Sequence, residues 1–275
     1  TALIAAFMLQ IAMNLIFESA TNVFLMERLP RRQIAAFESK RLLMAGIAYT
    51  VGPWLGVALD RRVAPDLTFY LVSLISAVLL AIYLTHGPGR SDQPAKPAGP
   101  AAIPNPLRFV PRFIAQPRLV LAWLLAFGRS GWWIMFFIYT PIYVAQSGYP
   151  ADIGGALVSL GLVPMLAMPL WARFARRYGM RAVLTTSFVA VGLLTIAAGS
   201  VSAHPLPTMM LLCAAAWCAT AIDSAGNTPF MRAVHPYERA AMTSVFLTFR
   251  HASALVSPGI FAVVLWFFPL GAVFI

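Results

Sequence analysis

Long apolar runs dominate the sequence, and short polar segments separate them. A helix that crosses a bilayer needs about 20 mostly apolar residues. Each run is continuously apolar, whereas the strands of a membrane barrel alternate apolar with polar residues. The pattern therefore predicts an all-α integral membrane protein with eight transmembrane helices. The runs are 2–26, 42–59, 67–85, 119–145, 153–172, 182–201, 207–231 and 244–267.

The composition excludes several classes of protein. Hydrophobic residues make up 60% of the 275 residues and charged residues only 11%, whereas a soluble domain carries about 25% charged residues. So few charges cannot cover a globular surface. The composition therefore excludes an ordinary soluble enzyme, a nucleic-acid-binding protein and a disordered chain. The net charge of +11 would by itself suggest nucleic-acid binding, but the placement of the charges indicates a membrane protein.

The basic residues are distributed unevenly between the two sides of the predicted membrane. Seventeen of the 20 Lys and Arg residues lie in or beside every second connection. Such alternation follows the positive-inside rule. We therefore expect a multi-pass protein of the cell inner (plasma) membrane, with residue 1 outside. The cytoplasmic connections are 27–41, 86–118, 173–181 and the region 232–250.

The connection 86–118 is the longest, and it contains eight prolines. Such a segment favours an extended linker over a packed helix. We expect it to divide the chain into 1–85, the end of an N-terminal half with three transmembrane helices, and 119–275, a truncated C-terminal half with five. Both ends of the chain lie within apolar runs, so we expect a fragment of a longer protein.

An internal repeat supports this division. Residues 18–26 resemble residues 223–231, and each copy ends a predicted span on the cytoplasmic side. Each copy leads into a span that we expect to be broken, at Gly52-Pro53 in one case and at Ser257-Pro258 in the other. Parallel repeats about an axis along the membrane normal are a known design of transporters.

With this repeat, the chain resembles the major facilitator superfamily, whose members have two six-helix halves joined by a long cytoplasmic linker. Residues 170–181 (LWARFARRYGMR) resemble the second-half copy of the family's short basic loop motif, although the usual acidic residue is absent. Residues 52–56 (GPWLG) resemble the fifth-helix motif of proton-driven drug exporters, although Ala48 and Val57 replace glycines. The resemblance implies a helical bundle with two pseudo-symmetric halves, of which about helices four to eleven are present.

Three charged residues, Glu18, Arg129 and Asp223, lie deep within the runs. A charge at the bilayer centre costs at least a few kcal/mol, so such residues usually have a function. The resemblance implies that the three helices that carry them line the central cavity. We expect Glu18 and Asp223 to bind protons or a cationic group, and Arg129 to be their counter-ion or the anchor of an anionic group. The alternative is a buried salt-bridge network that ties the two halves together.

Polar and aromatic residues surround these charges. Asn14 and Asn22 share a helix face with Glu18 because they lie four residues from it. Asn227 has the same spacing from Asp223, and Trp133 lies one turn from Arg129. We include all four among the candidate substrate-binding and proton-binding residues.

A second set of charges lies at the cytoplasmic ends of the runs. These residues either set the topology, which we favour, or form a gate whose ion pairs break as the two halves move. The candidate gating residues are Glu27, Arg28, Arg32, Arg173, Arg177, Arg239 and Arg250.

No constellation typical of an enzyme is present in the sequence. There is no phosphate-binding glycine loop and no metal motif, and Cys213 and Cys218 are wrongly spaced for one helix face. We expect no cofactor or metal, a bilayer environment, a small-molecule substrate, protons as the coupling ion and a monomer that binds no nucleic acid.

The first functional hypothesis is a secondary transporter that exports an amphipathic or cationic compound by alternating access, driven by protons. The second is a proton symporter that imports a small anionic metabolite, with Arg129 as its anchor. Two other classes were weighed. A membrane enzyme acting on lipid would need a nucleophile and a base, and a receptor or scaffold on a transporter fold would tolerate loss of the three buried charges.

Overall fold

In a computed structural model of the chain, the described residues are 13, 31–64, 67–86, 106–225, 228–235 and 238–275. These residues fold into helices, and no strand occurs among them. The all-α prediction is therefore confirmed for the part of the chain that the structure describes. The helices are α1 (Arg31–Arg62), α2 (Leu67–His86), α3 (Val110–Ile114), α4 (Pro117–Gln146), α5 (Ala151–Leu162), α6 (Met168–Tyr178), α7 (Met180–Ser200), α8 (Pro205–Ala225), α9 (Thr228–Ala233) and α10 (Arg239–Phe267).

Four helical segments of the described chain are long and apolar enough to cross a membrane. They coincide with the predicted runs 119–145, 182–201, 207–231 and 244–267. Two predicted spans correspond to shorter apolar helices, Leu67–Ile82 and Ala151–Ala167. The run 42–59 lies within α1, and the run 2–26 lies outside the described residues apart from Met13. The total of eight crossings stays a prediction. The four long segments are Pro117–Gln146, Met180–Ser200, Pro205–Ala233 and Met242–Phe267.

The chain forms two compact units, residues 1–48 and residues 49–275. The described part of the first unit is Met13 and the N-terminal part of α1. In the second unit, α8 packs against α4, α5 and α7, and α4 also packs against α10. The fully buried side chains of Phe136, Leu162 and Leu212 form part of the core between these helices.

The helix breaks expected at Gly52-Pro53 and at Pro258 do not occur. Helix α1 continues through Pro53, and α10 continues through Pro258. A proline removes one backbone donor from a helix, but helices within membranes tolerate it because neighbouring groups satisfy the backbone group that is released. A break does occur elsewhere, where a 3₁₀ turn at Val163–Ala167 separates α5 from α6.

The end of the proline-rich linker is helical rather than extended. A 3₁₀ turn at Pro106–Phe109 leads into α3, and α4 follows at Pro117. Prolines are compatible with the first turn of a helix because the N–H groups there have no intrahelical partner. Phe113 of α3 is buried against Phe230 and Met242. Packing of this kind overrides the preference of the prolines for extended structure. The boundaries of the linker, residues 86 and 118, stay predictions.

A close contact joins α5 to the second half of α1. The backbone N–H of Trp54 donates a hydrogen bond to the Ser159 hydroxyl at 3.0 Å. A Cβ atom added to Gly155 would lie 3.0 Å from the carbonyl oxygen of Pro53. The two backbones can approach this closely because residue 155 is a glycine.

Candidate functional site

The site is built around an ion pair between two long apolar helices. The Nε atom of Arg129, in α4, lies 3.4 Å from Oδ1 of Asp223, in α8. The side chains are only 14% and 18% exposed, respectively. Two opposite charges in such surroundings stabilise each other, since each one alone would carry a large desolvation cost.

Trp133 completes the environment of the Asp223 carboxylate. Its Nε1–H donates a hydrogen bond of 2.7 Å to Oδ2. Trp133 lies one helical turn after Arg129, so both side chains project from the same face of α4. The two oxygens of Asp223 are therefore engaged by different groups, one by a cation and the other by a neutral donor.

Aromatic rings surround the arginine. The guanidinium carbon of Arg129 lies 5.9 Å from the centre of the Phe249 ring, in α10, which is within the range of a cation–π interaction. Trp132 stacks on Phe136 with ring centres 5.4 Å apart, and its Nε1–H donates to the Thr195 hydroxyl of α7 at 3.0 Å. The site thus combines charges with flat apolar surfaces.

Two cavities lie beside Arg129. The larger, of about 220 Å³, is lined by residues of α4, α7 and α8 that include Trp132, Phe188 and Ile222. The smaller, of about 20 Å³, adjoins Phe230 and Phe246. Pockets for drug-sized ligands occupy about 300–1,000 Å³, so the larger cavity is suited to a small compound or to one group of a larger compound.

Arg129 lines both cavities, whereas Asp223 is not among the lining residues of either. The charge that the described cavities present is therefore positive. An anionic group that entered either cavity would meet the guanidinium first. A cationic group would have to displace Arg129 from Asp223 before it reached the carboxylate.

The structure brings together three of the predicted binding residues, Arg129, Trp133 and Asp223. The other predicted binding residues lie outside the described residues, so their place in the site stays a prediction. They are Asn14, Glu18, Asn22 and Asn227.

The structure describes the side chains of three of the predicted gating residues, namely Arg173, Arg177 and Arg250. Arg173 and Arg177 are exposed on α6, and within the described chain no carboxylate lies within ion-pair distance of either. Arg250 is exposed on α10, with its guanidinium carbon 6.0 Å from the Phe249 ring. Arg32 is the second residue of α1, and Arg239 is the first residue of α10. Glu27 and Arg28 lie outside the described residues.

The contact of α4 with α10 is a feature that sequence reasoning missed. The Ser253 hydroxyl donates a hydrogen bond to the Ser130 hydroxyl at 2.7 Å, and Gly131 faces Ser257 so closely that an added Cβ atom would lie 2.7 Å from its Oγ. Ser253 and Ser257 lie four residues apart, on one face of their helix. That spacing is the signal by which a helix contact at this position could have been inferred.

Comparison of the sequence with known protein families agrees with the membrane character of the chain. Residues 1–258 match the sequence model of the family described as Major Facilitator Superfamily. None of the curated proteins compared with the chain matches it. The matched range includes Arg129, Trp133 and Asp223.

Proposed function

The chain belongs to the Major Facilitator Superfamily, a family of membrane transporters, and on this premise we propose that it works by alternating access as a proton-coupled exporter of a small amphipathic or cationic compound. The observation that carries the proposal is the Arg129–Asp223 pair, which lies between two helices long enough to span the membrane. A carboxylate within a membrane-spanning helix is the kind of group that carries protons in pumps and transporters.

The pair provides two states that differ in charge. When Asp223 is ionised, it neutralises Arg129, and Trp133 stabilises the second carboxylate oxygen. When Asp223 takes up a proton, the attraction between the two side chains is lost, and Arg129 must find another partner or reach water. A cationic substrate group competes with both the proton and Arg129 for the same carboxylate, which is the exchange that an antiporter requires. The rings of Trp133 and Phe249 offer surfaces to an aromatic or apolar part of the substrate.

A second candidate function is import of a small anionic metabolite together with protons. It is favoured by one observation, namely that Arg129 lines both described cavities and Asp223 lines neither. In this mechanism, protonation of Asp223 releases Arg129, and the guanidinium then binds the anion. The two candidates use the same three residues but assign the substrate to opposite partners of the ion pair.

Everted membrane vesicles with a preset proton gradient test the first candidate. A panel of cationic and amphipathic compounds is added while a pH-sensitive dye reports the gradient. We expect a compound-dependent collapse that Asp223→Asn abolishes. Asp60→Asn is the matched control, because it neutralises an exposed carboxylate at the end of α1, and it should keep the response. Full activity of Asp223→Asn would contradict the proposal.

If no compound collapses the gradient, uptake of labelled small anions by intact cells tests the second candidate. We expect Arg129→Gln to abolish uptake and Arg62→Gln, an exposed arginine at the end of α1, to retain it. If neither export nor uptake is detected although the protein is present in the membrane, the result favours a receptor or scaffold built on a transporter fold.

We also propose a location in the plasma (inner) membrane with the linker 86–118 in the cytoplasm. The uneven distribution of Lys and Arg between alternate connections supports this orientation. We propose that the protein acts as a monomer.

A further inference from the structure

A compact group of arginines lies where α6 ends and α7 begins. Arg173 and Arg177 are one turn apart on α6, and Arg181 lies in the first turn of α7, two residues after Gly179. Gly179 has a φ of +90°, a conformation that glycine adopts without strain, so one residue suffices to end the first helix and begin the next. All three arginines are exposed, and we call them the arginine turn.

Aromatic side chains accompany the arginine turn. The rings of Phe174 and Tyr178 are stacked, with centres 6.0 Å apart and an interplanar angle of 15°, and both rings are about half exposed. The guanidinium carbon of Arg177 lies 5.5 Å from the centre of the Tyr178 ring. Exposed tyrosines and tryptophans near the end of a membrane helix mark the level of the lipid headgroups. We therefore expect the arginines to lie at the depth where lipid phosphates are found.

The arginine turn has no anionic partner within the described chain. Arg62, Arg112 and Arg129 each pair with a carboxylate, but no such pair involves the arginine turn. The sequence explains this difference, because no Asp or Glu occurs between Asp152 and Asp223. An anion that neutralises this surface has to come from outside the described residues.

The leaflet that faces the arginine turn follows from the course of the chain. Helix α4 begins at the linker and is long and apolar enough to cross the membrane, and we expect the segment 151–178, which comprises α5 and α6, to return. We therefore expect the end of α6 to lie on the same side of the membrane as the linker. The arginine turn and its aromatic rings would then be next to the lipid headgroups of that leaflet.

We propose that the arginine turn binds the phosphate of an anionic phospholipid in the linker-side leaflet. Arginine suits this ligand because its planar guanidinium donates two parallel hydrogen bonds to phosphate oxygens. Phe174 and Tyr178 contact the glycerol and upper acyl region of the same lipid. The proposal does not depend on the direction of transport or on the substrate, and it gives Arg173 and Arg177 a role other than gating.

Native mass spectrometry of the detergent-purified full-length protein tests this proposal, with phosphatidylglycerol or phosphatidylcholine added. A basic residue near an anionic lipid surface changes affinity about fivefold. We therefore expect phosphatidylglycerol to bind more tightly than phosphatidylcholine, and Arg173→Gln/Arg177→Gln to weaken phosphatidylglycerol roughly 25-fold. Excess inorganic phosphate at constant ionic strength should not displace the lipid.

The control is Arg108→Gln/Arg118→Gln, which removes the same charge from two exposed arginines near the start of α4. It should weaken phosphatidylglycerol binding by a smaller factor than Arg173→Gln/Arg177→Gln does. Equal losses in the two double variants would overturn the proposal, since they would mean that only net charge matters. Equal binding of the two lipids, or displacement by inorganic phosphate, would overturn it as well. If the double variant elutes as an aggregate, Arg173→Gln and Arg177→Gln are measured singly, each with an expected loss of about fivefold.

Discussion

Trp133 donates its indole N–H to Oδ2 of Asp223 at 2.7 Å, while Arg129 faces Oδ1 from the same helix. Both partners of the carboxylate therefore belong to α4 and are held by one rigid backbone, one turn apart. A movement of α8 relative to α4 would change both contacts together. Loss of the arginine or of the tryptophan alone removes one contact and leaves the other in place.

Trp133→Phe removes the indole donor while keeping an aromatic ring. A hydrogen bond to a charged group contributes about 1.5–3 kcal/mol, and 1.4 kcal/mol corresponds to about tenfold in an equilibrium. If ionised Asp223 takes part in coupling, we expect the rate of proton-coupled transport to fall at least about tenfold. The measurement is the dye assay in vesicles, normalised to the amount of protein.

Trp132→Phe is the matched control for Trp133→Phe. It removes an indole donor from the neighbouring residue, whose partner is the Thr195 hydroxyl rather than a charged group. Its transport rate should fall by a smaller factor than that of Trp133→Phe, because a neutral hydrogen bond contributes less. Similar losses in both variants would argue against a specific role for the donor at Asp223.

Arg129 and Asp223 should be strongly coupled in stability. Removal of one member of a buried pair leaves an uncompensated charge and costs about 3–5 kcal/mol. Because the two side chains retain 14% and 18% exposure, we expect a smaller loss, of about 2 kcal/mol, for either Arg129→Gln or Asp223→Asn. The double variant should be more stable than either single variant, since no unpaired charge remains.

Thermal unfolding in detergent, arranged as a double-mutant cycle, measures this coupling. Arg62→Gln and Asp152→Asn form the comparison cycle, because their 3.4 Å pair joins two more exposed side chains. Exposed pairs contribute about 0–1 kcal/mol, so this cycle should show little coupling. Strictly additive losses at Arg129 and Asp223 would show that the pair does not stabilise the fold.

Gly131 allows α4 and α10 to approach each other. An alanine Cβ there would lie 2.7 Å from Oγ of Ser257 but 3.7 Å from its Cβ. We therefore expect Gly131→Ala to destabilise the protein by about 1–3 kcal/mol, and Gly131→Ala/Ser257→Ala to recover most of that loss. The measurement is again thermal unfolding in detergent.

Gly128→Ala is the control for the Gly131 variants. Gly128 lies one turn earlier on α4, and an added Cβ atom there would meet nothing within 4 Å. Alanine has the higher helix propensity, so this variant should be neutral or slightly stabilising. Failure of Ser257→Ala to rescue Gly131→Ala would mean that the proposed contact is not the cause of the loss.

The helical fold could be predicted from the sequence because apolar runs of sufficient length leave few alternatives. The low exposure of Arg129 and Asp223 was also predictable, since a charge within an apolar run is conspicuous. The pairing of Arg129 with Asp223 was proposed, but the sequence could not establish it because the two residues lie far apart along the chain. The hydrogen bond from Trp133 to Asp223 likewise joins residues that are separated by 90 positions. The position of Phe249 beside Arg129 depends on how α10 packs, which local patterns do not encode.

The predictions that were wrong involve prolines. The sequence around Pro53 and Pro258 indicated broken helices, but α1 and α10 continue through these prolines. The linker end was expected to be extended, but burial of Phe113 against Phe230 and Met242 stabilises a helical turn there. At the linker end, contacts with residues distant in the sequence override the local backbone preference.

The orientation of the chain in the membrane is the last prediction. Between the predicted runs 42–59 and 67–85 the only basic residues are Arg61 and Arg62, whereas the linker 86–118 contains five. By the positive-inside rule, Ala64 should face the outside and Ala115 the cytoplasm; both are exposed in the structure. In a Cys213→Ala/Cys218→Ala background, a membrane-impermeant thiol reagent should label Ala64→Cys in intact cells and Ala115→Cys only after permeabilisation. Labelling of Ala115→Cys in intact cells would reverse the orientation and would place the arginine turn on the outer leaflet.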